Sequence, residues 1–385
     1  MEYGRLRIFR VILVGALFFV TGCMGAAKTM SNAATPTWKE KVLFVDERKI
    51  TQRESTFDIY IANPDGTDLK VLVEQGIQPS PSPDGSRVGF MALTKLYWKH
   101  TGISVVNNDG SERKDLVQIK GCEFFISQYH WSPDGKKIAY LVGCEEIMKR
   151  PELWVVTLDG DKQKICDLDK DMFYLISWSP DGKELLVFYF DGSRAFIVDT
   201  ISLKKSEINL KGLNIINPQD FFPPFLIFFD DENLIYYGDD KSLWIVKKDG
   251  SKTRRLLENI NFMWPETLRP PLVFSPSGKI KFISYGGDTK KLRYSYENGQ
   301  KYSSLYEIDI KSKTATKVFE KPGTFRGMLW SPVSNKVLYG TSVIDLDTGR
   351  KIVIKDSWNR MPSEIFRLWD DFTWLVSPDG GENEK

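Results

Sequence analysis

The stretch Trp131-Ser132-Pro133-Asp134-Gly135-Lys136-Lys137-Ile138-Ala139-Tyr140 decides how the rest of the chain is read. An aromatic residue leads into a proline, whose ring fixes φ near −65° as a turn opens. Asp-Gly follows, supplying a side-chain acceptor and a residue free to adopt positive φ. Apolar residues then resume as a short β run. The stretch reads as strand, tight turn, strand.

The phrase recurs along the chain. It reads Ser82-Pro83-Asp84-Gly85 before Val88-Gly89-Phe90, and Trp178-Ser179-Pro180-Asp181-Gly182 before Leu185-Leu186-Val187. Weaker copies are Phe274-Ser275-Pro276-Ser277-Gly278 and Trp330-Ser331-Pro332-Val333, and the last is Ser377-Pro378-Asp379-Gly380. A degenerate copy, Phe229-Asp230-Asp231-Glu232-Asn233, precedes Leu234-Ile235-Tyr236. From Ser82 to Ser377 the repeat averages about 49 residues, the length of a four-stranded propeller blade.

Each repeat carries a second turn, as in Asn63-Pro64-Asp65-Gly66, Asn108-Asp109-Gly110, Asp159-Gly160 and Lys248-Asp249-Gly250. Alternating runs such as Phe57-Asp58-Ile59-Tyr60-Ile61 enter it, which is hairpin chemistry. Seven segments run into the motif, the last being Phe372 to Val376, and seven leave it, the first being Lys41 to Val45. The sequence therefore predicts an all-β, seven-bladed β-propeller over residues 38–380, with six or eight blades as the nearest alternatives. Pairing of the N- and C-terminal strands would close it and leave no open sheet edge.

The Trp-Ser-Pro-Asp-Gly-Lys phrase resembles the TolB-type propeller repeat, shared by TolB and by the propeller domains of dipeptidyl-peptidase-like and prolyl-oligopeptidase-like proteins. The resemblance covers residues 38–380 and speaks to fold rather than function. In the peptidases an α/β-hydrolase domain accompanies the propeller, whereas no Gly-x-Ser-x-Gly elbow occurs here. The resemblance to TolB itself is confined to the propeller, so TolB's particular partners are not carried over.

The first residues read as a targeting signal. Arg5, Arg7 and Arg10 precede an apolar run from Val11 to Val20, too short to span roughly 30 Å of hydrocarbon as a helix. It ends in Val20-Thr21-Gly22-Cys23, which resembles the bacterial lipobox. That resemblance implies a lipoprotein signal peptide over 1–22 and acylation at Cys23, with residues 23–37 as lipidated cysteine and tether and 381–385 as a polar tail. The expected localisation is export, with lipid anchoring to the cell membrane or outer membrane on its periplasmic or extracellular face.

A net charge of +2 implies neither nucleic acid nor a strongly acidic partner. The two histidines, His100 and His130, are too few for a histidine-rich metal site, and the turns account for most aspartates. No cofactor, metal site or catalytic set is expected. The reading is a binding or scaffolding module with an envelope protein partner, a glycan being the alternative and an enzyme the less favoured one.

The long, variable connections all fall between second and third strands or between blades, on one face. Variable loops on a rigid face are where function usually sits. They hold the candidate binding-face aromatics Trp98, Phe124, Phe125, Phe222, Trp264, Tyr294, Trp358 and Trp369, residue types favoured as anchors. Cys122 and Cys144 flank the first two strands of the third blade and are expected to form a disulfide, while Cys166 reads as a buried thiol.

Overall fold

The computed structural model describes residues 38–50, 55–93, 100–118, 124–144, 150–169, 174–189, 191–215, 225–260, 272–275, 277–286, 302–322, 329–339, 341–355 and 372–378. Every regular element among them is a β-strand, and the strands form seven antiparallel four-stranded sheets. Blade 1 joins the last strand, β28 (Phe372–Pro378), to β1 (Trp38–Lys49), β2 (Ser55–Ala62) and β3 (Lys70–Val73). Blades 2 to 7 are each continuous in sequence. Their innermost strands are β4 (Gly76–Pro81), β8 (Phe124–Trp131), β12 (Tyr174–Trp178), β16 (Leu226–Phe228), β20 (Leu272–Ser275) and β24 (Leu329–Trp330). Each blade packs on the next and blade 7 packs on blade 1. The fold is a closed seven-bladed β-propeller.

Burial follows from this arrangement. An inner strand is sandwiched between two sheets, so all five residues of β12 are buried. An outer strand meets solvent, and β15 (Lys205–Glu207) is exposed throughout. The period-2 alternation of a strand sends successive side chains to opposite neighbouring blades. Thus Trp131 and Tyr129 face blade 2, while Gln128 faces blade 4 and donates to the Tyr174 carbonyl at 2.7 Å.

The repeated motif is a hydrogen-bonded unit in which serine does more than its position in the phrase suggests. The buried Ser82, Ser132 and Ser179 hydroxyls donate to Asp84, Asp134 and Asp181 at 2.6, 2.6 and 2.7 Å. Each hydroxyl also accepts the amide five residues on, from Arg87, Lys137 and Glu184. The aspartate in turn accepts the amide two residues on. Gly85, Gly135 and Gly182 follow at φ 67°, 68° and 72°. At Gly85 a Cβ would also lie 2.1 Å from the Val376 carbonyl oxygen, so the approach of blade 2 to blade 1 admits only glycine.

The tryptophans fasten neighbouring blades. Trp131 Nε1 donates to the Ser80 carbonyl of the preceding blade at 2.8 Å, and Trp178 Nε1 to the His130 carbonyl at 3.1 Å. Trp374 Nε1 does the same to Leu329 across the seam from blade 1 to blade 7. A ring of this size buries about 150–250 Å², a gross stabilisation of roughly 4–6 kcal/mol before ordering entropy.

Closure uses both chain ends. β1 pairs with β28 over Trp38↔Pro378 to Phe44↔Phe372. Blade 7 has Val333 where blades 2, 3 and 4 have aspartate, and the carboxylate comes instead from Glu40 on β1, bonded to Ser331 Oγ and Lys336.

Candidate binding face

Strand direction gives the ring two unlike faces. On one lie the short motif turns and third-to-fourth-strand turns, and in blades 2, 3 and 4 the motif serine and aspartate bond each other within the turn. On the other emerge the second-to-third-strand and blade-to-blade connections. The sequence places its candidate aromatics on this second face. Trp98, Phe222, Trp264, Tyr294, Trp358 and Trp369 lie outside the described residues, as do Cys23 and Cys122.

Phe124 and Phe125 need correction. They are not in a loop but open β8, opposite Cys144 and Gly143. An irregularity between Ile126 and Gln128 lets the pairing continue beyond the point where the alternating pattern breaks. Cys144 is the last residue of β9 (Lys137–Cys144) and pairs with Phe124. Cys166 is a free thiol on the outer strand β11 (Lys162–Asp167), buried against blade 4, and desolvation pushes its pKa up.

The described rim of this face carries charge pairs that sequence spacing does not reveal. In blade 1, Asp46 and Asp58 are direct cross-strand partners on the same side of the sheet. Both are buried, at 3% and 0% exposure. Arg48 binds Asp58 through Nε at 2.5 Å and reaches Glu74 through Nη2, and the Gln75 amide donates to Asp58 at 2.9 Å. The bond to Asp58 also holds the Arg48 guanidinium firmly protonated. Lys355 of blade 7 binds Asp46 and sits 4.2 Å from the Tyr60 ring centroid. Two buried carboxylates thus meet two cations, the condition under which buried charge is tolerated.

Blade 4 repeats the idea with aromatics. The Tyr189 hydroxyl donates to Asp169 Oδ2 at 2.6 Å, Arg194 binds both Asp169 and Glu207, and its guanidinium lies over the Tyr189 ring. Tyr174 donates to the Asp169 carbonyl, and burial raises the pKa of both phenols. In blade 5, Trp244 stacks on Tyr236, donates to Asp240 at 3.1 Å and lies under Arg255. Each cluster is a polar group held rigid by its neighbours, suited to presenting a fixed pattern of charge and ring.

Towards the axis the polar residues are locked into the fold. His130 is 1% exposed, its Nε2 is 3.2 Å from Gln128 Oε1, and desolvation lowers its pKa from 6.5 to about 3. The ring is therefore neutral at physiological pH. Among the described residues no group of three His, Cys, Asp or Glu is placed to hold a metal ion.

No family model and no curated protein matches the chain. Solved structures do. A puromycin-hydrolysing peptidase of Mycobacterium tuberculosis is 14% identical with a TM-score of 0.55, over 84% of this chain and 53% of that one. An acylaminoacyl peptidase of Pyrococcus horikoshii is 15% identical with a TM-score of 0.51, over 83% and 51%. A putative TolB from Agrobacterium tumefaciens is 14% identical over 89% and 99%, with a TM-score of 0.39. The likeness is one of fold. The chain spans about half the length of the peptidases it matches.

Proposed function

We propose that this chain is a lipid-anchored propeller of the bacterial cell envelope whose loop-bearing face binds a protein partner, without catalysis of its own. The observation that carries the reading is the inequality of the two faces. One consists of short turns, bonded internally at the motifs of blades 2, 3 and 4. The other carries the long connections around a rim of fixed charge and aromatic clusters at blades 1, 4 and 5. Binding residues concentrate on loops positioned by a rigid scaffold, and the carboxylates of that rim are bonded to cations or to turn amides rather than poised as a paired acid and base. The membrane anchor rests on Cys23 and the segment before it.

The test uses the chain from residue 23 onward as bait in an envelope extract, with Trp98→Ala and Trp358→Ala beside it. One discrete protein captured by the wild type and lost with both substitutions supports the reading. Retention on a glycan array with no protein captured would replace it with a carbohydrate receptor. Turnover of a peptide or glycan substrate, abolished by a carboxylate substitution, would overturn it.

A further inference from the structure

The turn between the third and fourth strands of blade 4 departs from its equivalents. Asp199-Thr200-Ile201-Ser202-Leu203 joins β14 (Ala195–Asp199) to β15, and the Leu203 amide bonds the Asp199 carbonyl. The same turn in blade 7 is Asp345-Leu346-Asp347-Thr348-Gly349, closed by the Gly349 amide on the Asp345 carbonyl. In blade 6 it is Asp309-Ile310-Lys311-Ser312-Lys313. The first aspartate is used alike in all three, accepting the amide and hydroxyl of Ser202, Ser312 or Thr348.

The tip differs. Where the other turns carry Lys311 and Asp347, blade 4 carries Ile201, 79% exposed and the most exposed large hydrophobic among the described residues. Where they carry Lys313 and Gly349, it carries Leu203, 40% exposed at φ 59°. A left-handed backbone is costly for leucine, and blade 7 shows that glycine serves the turn. Two apolar side chains thus stand in solvent at positions the repeat fills with polar residues or glycine, followed by the exposed Lys204 and Lys205.

The position of the turn says what it meets. Third-to-fourth-strand turns lie on the face of the motif turns. β1 enters from that same face, because Trp38 pairs with Pro378 of the last motif. The chain before Trp38 therefore joins the ring at this face, and fourteen residues, 24–37, can reach at most about 50 Å. Blade 1, where they leave, and blade 4 stand on opposite sides of the ring. Lysine-flanked apolar side chains are the composition that seats in a headgroup layer.

We infer that the Ile201–Leu203 turn is a second membrane contact, which enters the interface of a phospholipid bilayer while Lys204 meets anionic headgroups, Lys205 being held over the Phe196 ring. With the tether at blade 1 and this turn at blade 4, the motif-turn face lies against the bilayer and the loop-bearing face points away. The orientation rests on the lipid anchor of the proposed function; the membrane contact of the turn itself does not.

The test is co-sedimentation of the chain from residue 23 onward, carrying Cys23→Ser to remove the acylation site, with phosphatidylglycerol–phosphatidylethanolamine vesicles. The unacylated chain partitions onto them, the I201S/L203G double variant about tenfold less, and Ile50→Ser, on the opposite face, equally. Unchanged melting of the double variant separates lost contact from lost fold. No partition of the unacylated chain, or equal partition of the double variant, overturns the inference. Acylation is read separately, as release of the Cys23→Ser chain from cell membranes after a high-salt wash. A wild-type chain already released would sink the lipid anchor while leaving the vesicle result standing.

Discussion

Glu40 Oε1 accepts a hydrogen bond from Ser331 Oγ at 3.0 Å although 291 residues separate the two in sequence. Blades 2, 3 and 4 make this bond locally, from serine to the aspartate two residues on. Blade 7, with Val333 there, draws it from the first strand of the chain. Removing one partner of a buried bond leaves the other unsatisfied. Glu40→Ala is expected to cost about 1–3 kcal/mol in urea unfolding. Val333→Asp in that background should recover part of the loss, and no recovery would mean that Glu40 acts only through Lys336.

The indole bonds between blades give a second expectation. Trp131→Phe keeps a ring in the interface but leaves the Ser80 carbonyl without its 2.8 Å donor. A loss of about 1 kcal/mol is expected, against about 3–5 kcal/mol for Trp131→Ala. Equal losses would show that the N–H, and not the ring, fastens blade 3 to blade 2.

His130 predicts a pH dependence. Its folded pKa is depressed to about 3 from 6.5 by burial, so the native protein holds it neutral while the unfolded chain protonates it. Its contribution is fully present above pH 6.5 and is lost as pH falls from there towards 3. The slope is at most about 1.4 kcal/mol per pH unit. His130→Gln should flatten the unfolding free energy across that window, and an unchanged slope would assign it to the carboxylates.

Cysteine chemistry can be read by alkylation and mass spectrometry. Cys166 is buried and its pKa raised by desolvation, so iodoacetamide at pH 8 should leave it unmodified until denaturant is added. A disulfide between Cys122 and Cys144 would give one cross-linked peptide without reductant. Free alkylation of both residues in protein from an oxidising compartment would remove it.

The blades were legible in the sequence because they are local. A turn at fixed spacing needs only Pro, Asp and Gly to announce itself, and Gly85, Gly135 and Gly182 take the positive φ that the motif implies. Closure was legible too, since a first strand without a motif and a last motif without a following strand need each other. What stayed hidden is contact between distant residues: Glu40 with Ser331, Lys355 with Asp46, and the cross-strand Asp46–Asp58 pair. No periodicity marks these, because each depends on which rows of two sheets come into register. Phe124 and Phe125 were misplaced for a related reason, an irregular pairing that hides the alternation.

The pairing of β1 with β28 bears on how the molecule is made. A ribosome finishes blades 2 to 7 in order, yet the first-made strand waits for Phe372–Pro378 before its sheet is whole. Until then the contacts of Glu40 with Ser331 and of Trp374 with Leu329 cannot both be made. A sheet completed by strands from opposite ends of the sequence is the kind of long-range pairing that sets a slow, late step in folding.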